Sequence, residues 1–110
     1  MKIKRLQHEA FQTYKDNEFL GAWTVEEFLS NPDVMAHTVN IAEASQIMTE
    51  IAELIEDVRK NTVDHYGEEC ADIVIRVMNF CSRNGIDLEY ELEEKIKANK
   101  LRAKRHGKEF

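Results

Sequence analysis

One stretch decides most of what this chain can become: Glu68-Glu69-Cys70-Ala71-Asp72-Ile73-Val74-Ile75-Arg76-Val77-Met78-Asn79-Phe80-Cys81. Wound as a helix at about 100° per residue, its apolar residues and its two cysteines cover roughly two-thirds of the circumference. Glu69, Asp72, Arg76 and Asn79 are left as one narrow polar stripe. A surface helix has the opposite proportions. The pattern predicts a helix buried on most sides, with its stripe facing an interior space. Carboxylates held there need a cation or a partner charge, because an isolated buried charge is costly.

The rest of the chain carries few breakers. One Pro and four Gly in 110 residues are too few for a turn-rich β fold. Long periodic segments predict an all-α fold, an antiparallel four-helix-bundle-like core with a long second helix. Ile3, Leu6, Ala10, Phe11 and Tyr14 predict an opening amphipathic helix, with Lys2, Lys4, Arg5, Gln7 and His8 outward. Gly21 breaks it, and Thr24-Val25-Glu26-Glu27 is a capping box for a short helix stopped at Asn31-Pro32. The long helix runs from Pro32 or Asp33 to about Arg59. Val34, Ile41, Met48 and Ile55 recur every seven residues, with Thr38, Ser45 and Ala52 between them, as a bundle-packing seam. Asn61 to Gly67 reads as a polar loop. Asn84-Gly85 ends the next helix, Asp87 caps the last, and His106-Gly107 closes it.

The length suits one domain over 1–110, with a helical extension over about 1–32 and the core over about 33–108. A hydrophobic content of 43% excludes a disordered chain. The net charge of −6 argues against nucleic acid as the main partner. There is no signal peptide and no apolar run of 18 residues, so the expectation is a soluble, cytoplasmic protein without a membrane partner. Cys70 and Cys81 lie roughly 16 Å apart along one helix, too far for a disulfide, and read as small buried apolar residues.

The chemistry-bearing residues fall in two groups. Glu50 and Glu53 lie three apart on the long helix, and Glu69 and Asp72 repeat that spacing on the next. A short loop makes these helices antiparallel neighbours, so the two pairs can face each other. Four carboxylates form a hard oxygen site suited to Mg2+ or Mn2+, whereas Zn2+ prefers His and Cys. No His stands three after a Glu, against a helical di-iron site. The plain alternative is solvated surface, and Glu56 and Asp57 are read that way. Lys95, Asn99 and Arg102 form the second group, on one face of the last helix, where Lys and Arg can bind phosphate. Basic residues near a helix C-terminus also simply complement its dipole.

Together these residues resemble a known family. Glu50-x-x-Glu53, fifteen intervening residues, then Glu69-x-x-Asp72 resembles the signature of the MazG-like all-α nucleoside triphosphate pyrophosphohydrolases. Asn84-Gly85-Ile86-Asp87-Leu88, the Lys95-x-x-x-Asn99-x-x-Arg102 run and His106-Gly107-Lys108 are similar to the end of that family. The resemblance covers about residues 40 to 108. It implies Mg2+-dependent cleavage of a nucleoside triphosphate to the monophosphate and pyrophosphate, in nucleotide-pool clearance. It further implies that Glu50, Glu53, Glu69 and Asp72 hold the metal, that one of them orients the attacking water, and that Lys95, Asn99 and Arg102 meet the triphosphate. Residues 1 to 39 match no family pattern, and Phe19, Trp23, Phe28, His37 and Asn40 are not assigned as base contacts.

Two other readings compete with this one. One is a non-catalytic helical interaction module; the other is a family member that binds nucleotide or metal without turnover. The wide apolar surface of the 68–81 helix, in so short a chain, predicts a homodimer or homotetramer with that helix near the interface. The family is likewise usually oligomeric.

Overall fold

The computed structural model describes residues 2–16 and 32–105, and every regular element among them is helical. The order is α1 (Lys2–Asp16), α2 (Pro32–Lys60), a one-turn 3-10 segment (Val63–His65), α3 (Tyr66–Arg83) and α4 (Leu88–Arg105). The capping box at 24–27, the residues Phe19, Trp23 and Phe28, and the closing His106-Gly107 lie outside the described residues. None of the described helices is long and apolar enough to cross a membrane.

Local chemistry sets the helix ends. Pro32 opens α2, where its missing N–H costs nothing, and Asp33 in the first turn and Arg59 and Lys60 in the last suit the helix dipole. α2 ends with Asn61 at φ 58°, a conformation Asn tolerates better than most residues. The Thr62 N–H then reaches back to the Asp57 carbonyl at 3.0 Å, and the Asn61 N–H reaches the Val58 carbonyl at 3.2 Å. α3 ends the same way around Gly85 at φ 67°. There the Ile86 N–H bonds the Cys81 carbonyl at 2.8 Å and the Gly85 N–H bonds that of Ser82 at 3.2 Å. Both ends satisfy the Schellman pattern of bonds. Asp87 caps α4 by accepting the Tyr90 N–H at 3.1 Å. The loop before α3 is shorter than the expected 61–67, because Tyr66 and Gly67 already belong to the helix.

α3 is the middle of a layer, flanked by α1 and α2. α2 runs antiparallel to it, with Asn40 beside Asn84 at one end and Glu50 beside Arg76 midway. On the other flank Leu6, Ala10 and Thr13 of α1 share a groove with Ala71, Val74, Ile75 and Met78. The Gln7 side chain, expected outward, is buried and donates to the Ile86 carbonyl at 3.0 Å. That bond secures a turn carbonyl that α1 would otherwise cover unpaired. Lys4 ties α1 to the start of α4 through Asp87 at 3.2 Å. Beyond that point α4 projects: residues 90 to 102 are all exposed.

Two expectations change here. α3 has a partner on each flank and none all round. Met78, Asn79 and Cys81 are buried, while Val74, Ile75 and Cys70 are exposed, so Cys70 is not the buried apolar residue expected. The seam of α2 also turns the other way. Ile41, Met48 and Ile55 are exposed, and α2 meets α3 through a neighbouring stripe that includes Asn40, Glu43, Ile47, Glu50, Leu54 and Asp57. That stripe carries the carboxylates that the arginines of α3 require.

Candidate functional site

The α2–α3 seam is polar along much of its length. At the end near the α3–α4 turn, Arg83 bonds both Glu43 and Asn40. Asn40 and Asn84 exchange amide hydrogen bonds at 2.9 and 2.8 Å. Glu43 and Arg83 are both largely buried, and their charges cancel.

The other end holds an excess of acid. Glu50, Glu69 and Asp72 each offer a carboxylate oxygen, and these oxygens lie within 4.8 Å of one another. Glu50 is only 9% exposed. Its Oε1 accepts from Arg76 Nε at 3.2 Å, while Arg76 Nη1 donates to Gln46 at 3.0 Å. Arg76 therefore compensates one carboxylate, and the i,i+4 pairing of Asp72 with Arg76 that the sequence allows gives way to Glu50. Glu69 Oε2 is buried without a hydrogen-bond partner. Burial, and then the charges of Glu53, Asp57 and Asp72, push the Glu69 carboxyl above its ordinary range.

The structure brings together three of the four expected carboxylates. Glu53 is exposed at the rim, outside the close cluster, but it lines the same groove and its charge is felt at Glu69. Asp57, read from sequence as plain surface, is a correction. It accepts from the Thr62 hydroxyl at 2.7 Å and lies 3.5 Å from His65 Nδ1. Chiefly the Thr62 bond, aided by His65 and a shared bond with Glu69, holds its carboxyl below the ordinary range. The missed signal was the seven-residue step from Glu50 to Asp57, which puts both on one stripe.

Glu50, Glu53, Asp72, Ile75, Arg76 and Asn79 line a groove of about 300 Å³. That is the lower end of the range for small-molecule sites. Three carboxylates at this separation could share a hard divalent cation, and the unpartnered Glu69 oxygen is the atom most in need of one. Lys95, Asn99 and Arg102 are not brought to this groove. All three are exposed on the projecting part of α4 and form none of its walls. Compared with family models, curated proteins and solved structures, the chain matched none.

Proposed function

We propose that this chain is a Mg2+-dependent nucleotide pyrophosphohydrolase, cleaving a nucleoside or deoxynucleoside triphosphate with water to the monophosphate and pyrophosphate. The observation that carries the proposal is the convergence of Glu50, Glu69 and Asp72 from two helices, with one buried carboxylate oxygen left unpartnered. The donor set fits Mg2+ or Mn2+, being hard oxygen alone. Glu50, Glu69 and Asp72 would hold the ion, with Glu53 at the rim. When bound, the ion supplies charge stabilisation for the phosphoryl oxygens. Asp57, hydrogen-bonded to Thr62, adds to the negative charge felt at Glu69. Ile75 lines both the acidic groove and the apolar groove against α1, which offers a base an apolar wall beside the phosphate chemistry. Lys95, Asn99 and Arg102 enter the proposal as phosphate-binding residues on the resemblance alone.

The test is pyrophosphate release across a panel of triphosphates. Release with Mg2+ or Mn2+ that stops in EDTA is expected. No release on any triphosphate, or full activity in EDTA or with Zn2+ alone, overturns the proposal. A second reading, a non-catalytic helical interaction module, is favoured by the exposed apolar residues of α2 and α4. It expects no turnover at all.

A further inference from the structure

α2 carries two seven-residue stripes, and only one has a partner among the described residues. The second consists of Ile41, Ala44, Met48, Ile51, Ile55 and Val58, spaced 3, 4, 3, 4 and 3 apart. All six are exposed, Met48 at 71% and Ile51 at 40%. The stripe lies about 100° around the helix from the one facing α3 and spans about 26 Å. Alternating steps of three and four are the spacing by which two helices pack knobs into holes. No charged residue falls on the stripe. The Ser45 hydroxyl beside it is already bonded to the Ile41 carbonyl at 2.8 Å, so covering it strands no donor.

We propose that this stripe is a homodimer interface, in which α2 of two copies packs antiparallel about a twofold axis between Met48 and Ile51. The order of residues on the stripe selects this occupant. Turned end for end, it reads onto itself: Ile41 meets Val58, Ala44 meets Ile55 and Met48 meets Ile51 of the other copy. Every layer then has an a-type residue against a d-type one, and the small Ala44 always faces the large Ile55. A parallel pair instead sets Ala44 against Ala44 and leaves a void at that layer, which a packed interface does not tolerate. The antiparallel pair also opposes the two helix dipoles favourably. Covering the stripe on both copies removes on the order of 1,000 Å² from water, the scale a specific interface requires.

The described residues bury little apolar surface among themselves. Val39, Met78 and Cys81 are the apolar residues counted as buried among those described, and no described side chain is fully buried. The radius of gyration is 17.2 Å, against about 13 Å for a compact domain of 100 residues. Two copies would bring α2 and α3 of each chain together as four helices. The interface therefore centres on α2 rather than on the 68–81 helix. The inference does not rest on the reading of the acidic groove.

Sedimentation of the purified chain at micromolar concentration tests it, with Met48→Glu and Ile51→Lys beside the wild type. The wild type is expected at twice the chain mass of 12.8 kDa, and each variant at half the wild-type mass with its helical circular dichroism retained. Mixing the two variants in equal amounts is expected to restore the dimer, because only the antiparallel register places Glu at 48 against Lys at 51. Restoration also shows that both variants are folded. A monomeric wild type, as when residues 17–31 of the same chain cover the stripe, overturns the inference. So does an assembly whose mass neither variant changes, or a mixture of monomeric variants that stays monomeric.

Discussion

The two ends of the α2–α3 seam are built from the same kinds of residue and come to different ends. At one, Glu43 meets Arg83, and Asn40 and Asn84 close the remaining polar groups. At the other, Glu50, Glu69 and Asp72 converge with Asp57 and Glu53 nearby, and Arg76 is the cation bonded to the cluster. A compensated charge pair in a seam fixes register. An uncompensated cluster is strained, and its mark is the Glu69 carboxyl, raised first by burial and then by the acidic neighbours. The difference teaches that a carboxylate on this seam is informative only together with its cation count. Glu43 is more buried than Asp72, yet it is the weaker functional candidate because Arg83 completes it.

The comparison breaks most sharply at Asp72. Asp72→Asn is expected to lower pyrophosphate release at least about 100-fold, the scale on which loss of an electrostatic catalytic group is felt. It should leave the fold intact and raise the melting temperature in EDTA, because one repelling charge is gone. Glu56→Gln is the control: Glu56 is exposed and pairs with Lys60 at 3.6 Å, a surface pair of small worth. Melting curves in EDTA beside release assays in Mg2+ decide the point. Wild-type turnover in a stable Asp72→Asn protein would remove Asp72 from the site.

Arg83→Met attacks the compensated end. It leaves Glu43 buried without its partner, and a loss of about 3 kcal/mol of stability is expected. Urea unfolding measures it. At a temperature where the variant remains folded, the release rate should match the wild type. A stable variant with lost activity would invert the roles of the two ends.

Arg102→Ala tests whether α4 serves the acidic end at all. Losing one charge-assisted bond to phosphate should raise KM about tenfold with kcat nearly unchanged. Unchanged KM would take the α4 trio out of the proposal.

The smallest effect is on pH dependence, and its sign follows from Glu69. Its folded carboxyl titrates above the ordinary 4.5. Its contribution to stability is therefore fully present below 4.5 and is lost as pH rises through the raised value. Asp57 and Asp87 act in the opposite sense. Each titrates below the ordinary 3.8, so their contribution is present above that value and is lost as pH falls through the lowered one. In EDTA, Glu69→Gln should remove the decline on the rising side alone. Added Mg2+ should stabilise the wild type more as pH rises through the same window, because a ligand must be ionised to bind. A variant with the wild-type pH profile in EDTA would show that Glu69 carries no such strain.

Much of this was legible in the sequence. Both described breaks between packed helices follow from residues within a few positions: Asn61 with Thr62, and Gly85 with the Asp87 cap. Such signals are local, so the chain states them without its fold. The acidic pairs were legible for the same reason, since spacing on a helix fixes which side chains share a face. Tertiary structure alone decided which face met what. α2 offers two stripes of similar period, and the more apolar one is exposed. Arg76 and Arg83 on α3 need carboxylates, and only the stripe with Glu43 and Glu50 supplies them. An unpaired charge in the seam costs more than an apolar stripe left at the surface. The same pairing drew Asp57 inward toward Glu69, and α1 drew Gln7 to the Ile86 carbonyl. Those contacts join residues brought together by the chain's return, and a period along one helix carries no record of its partner.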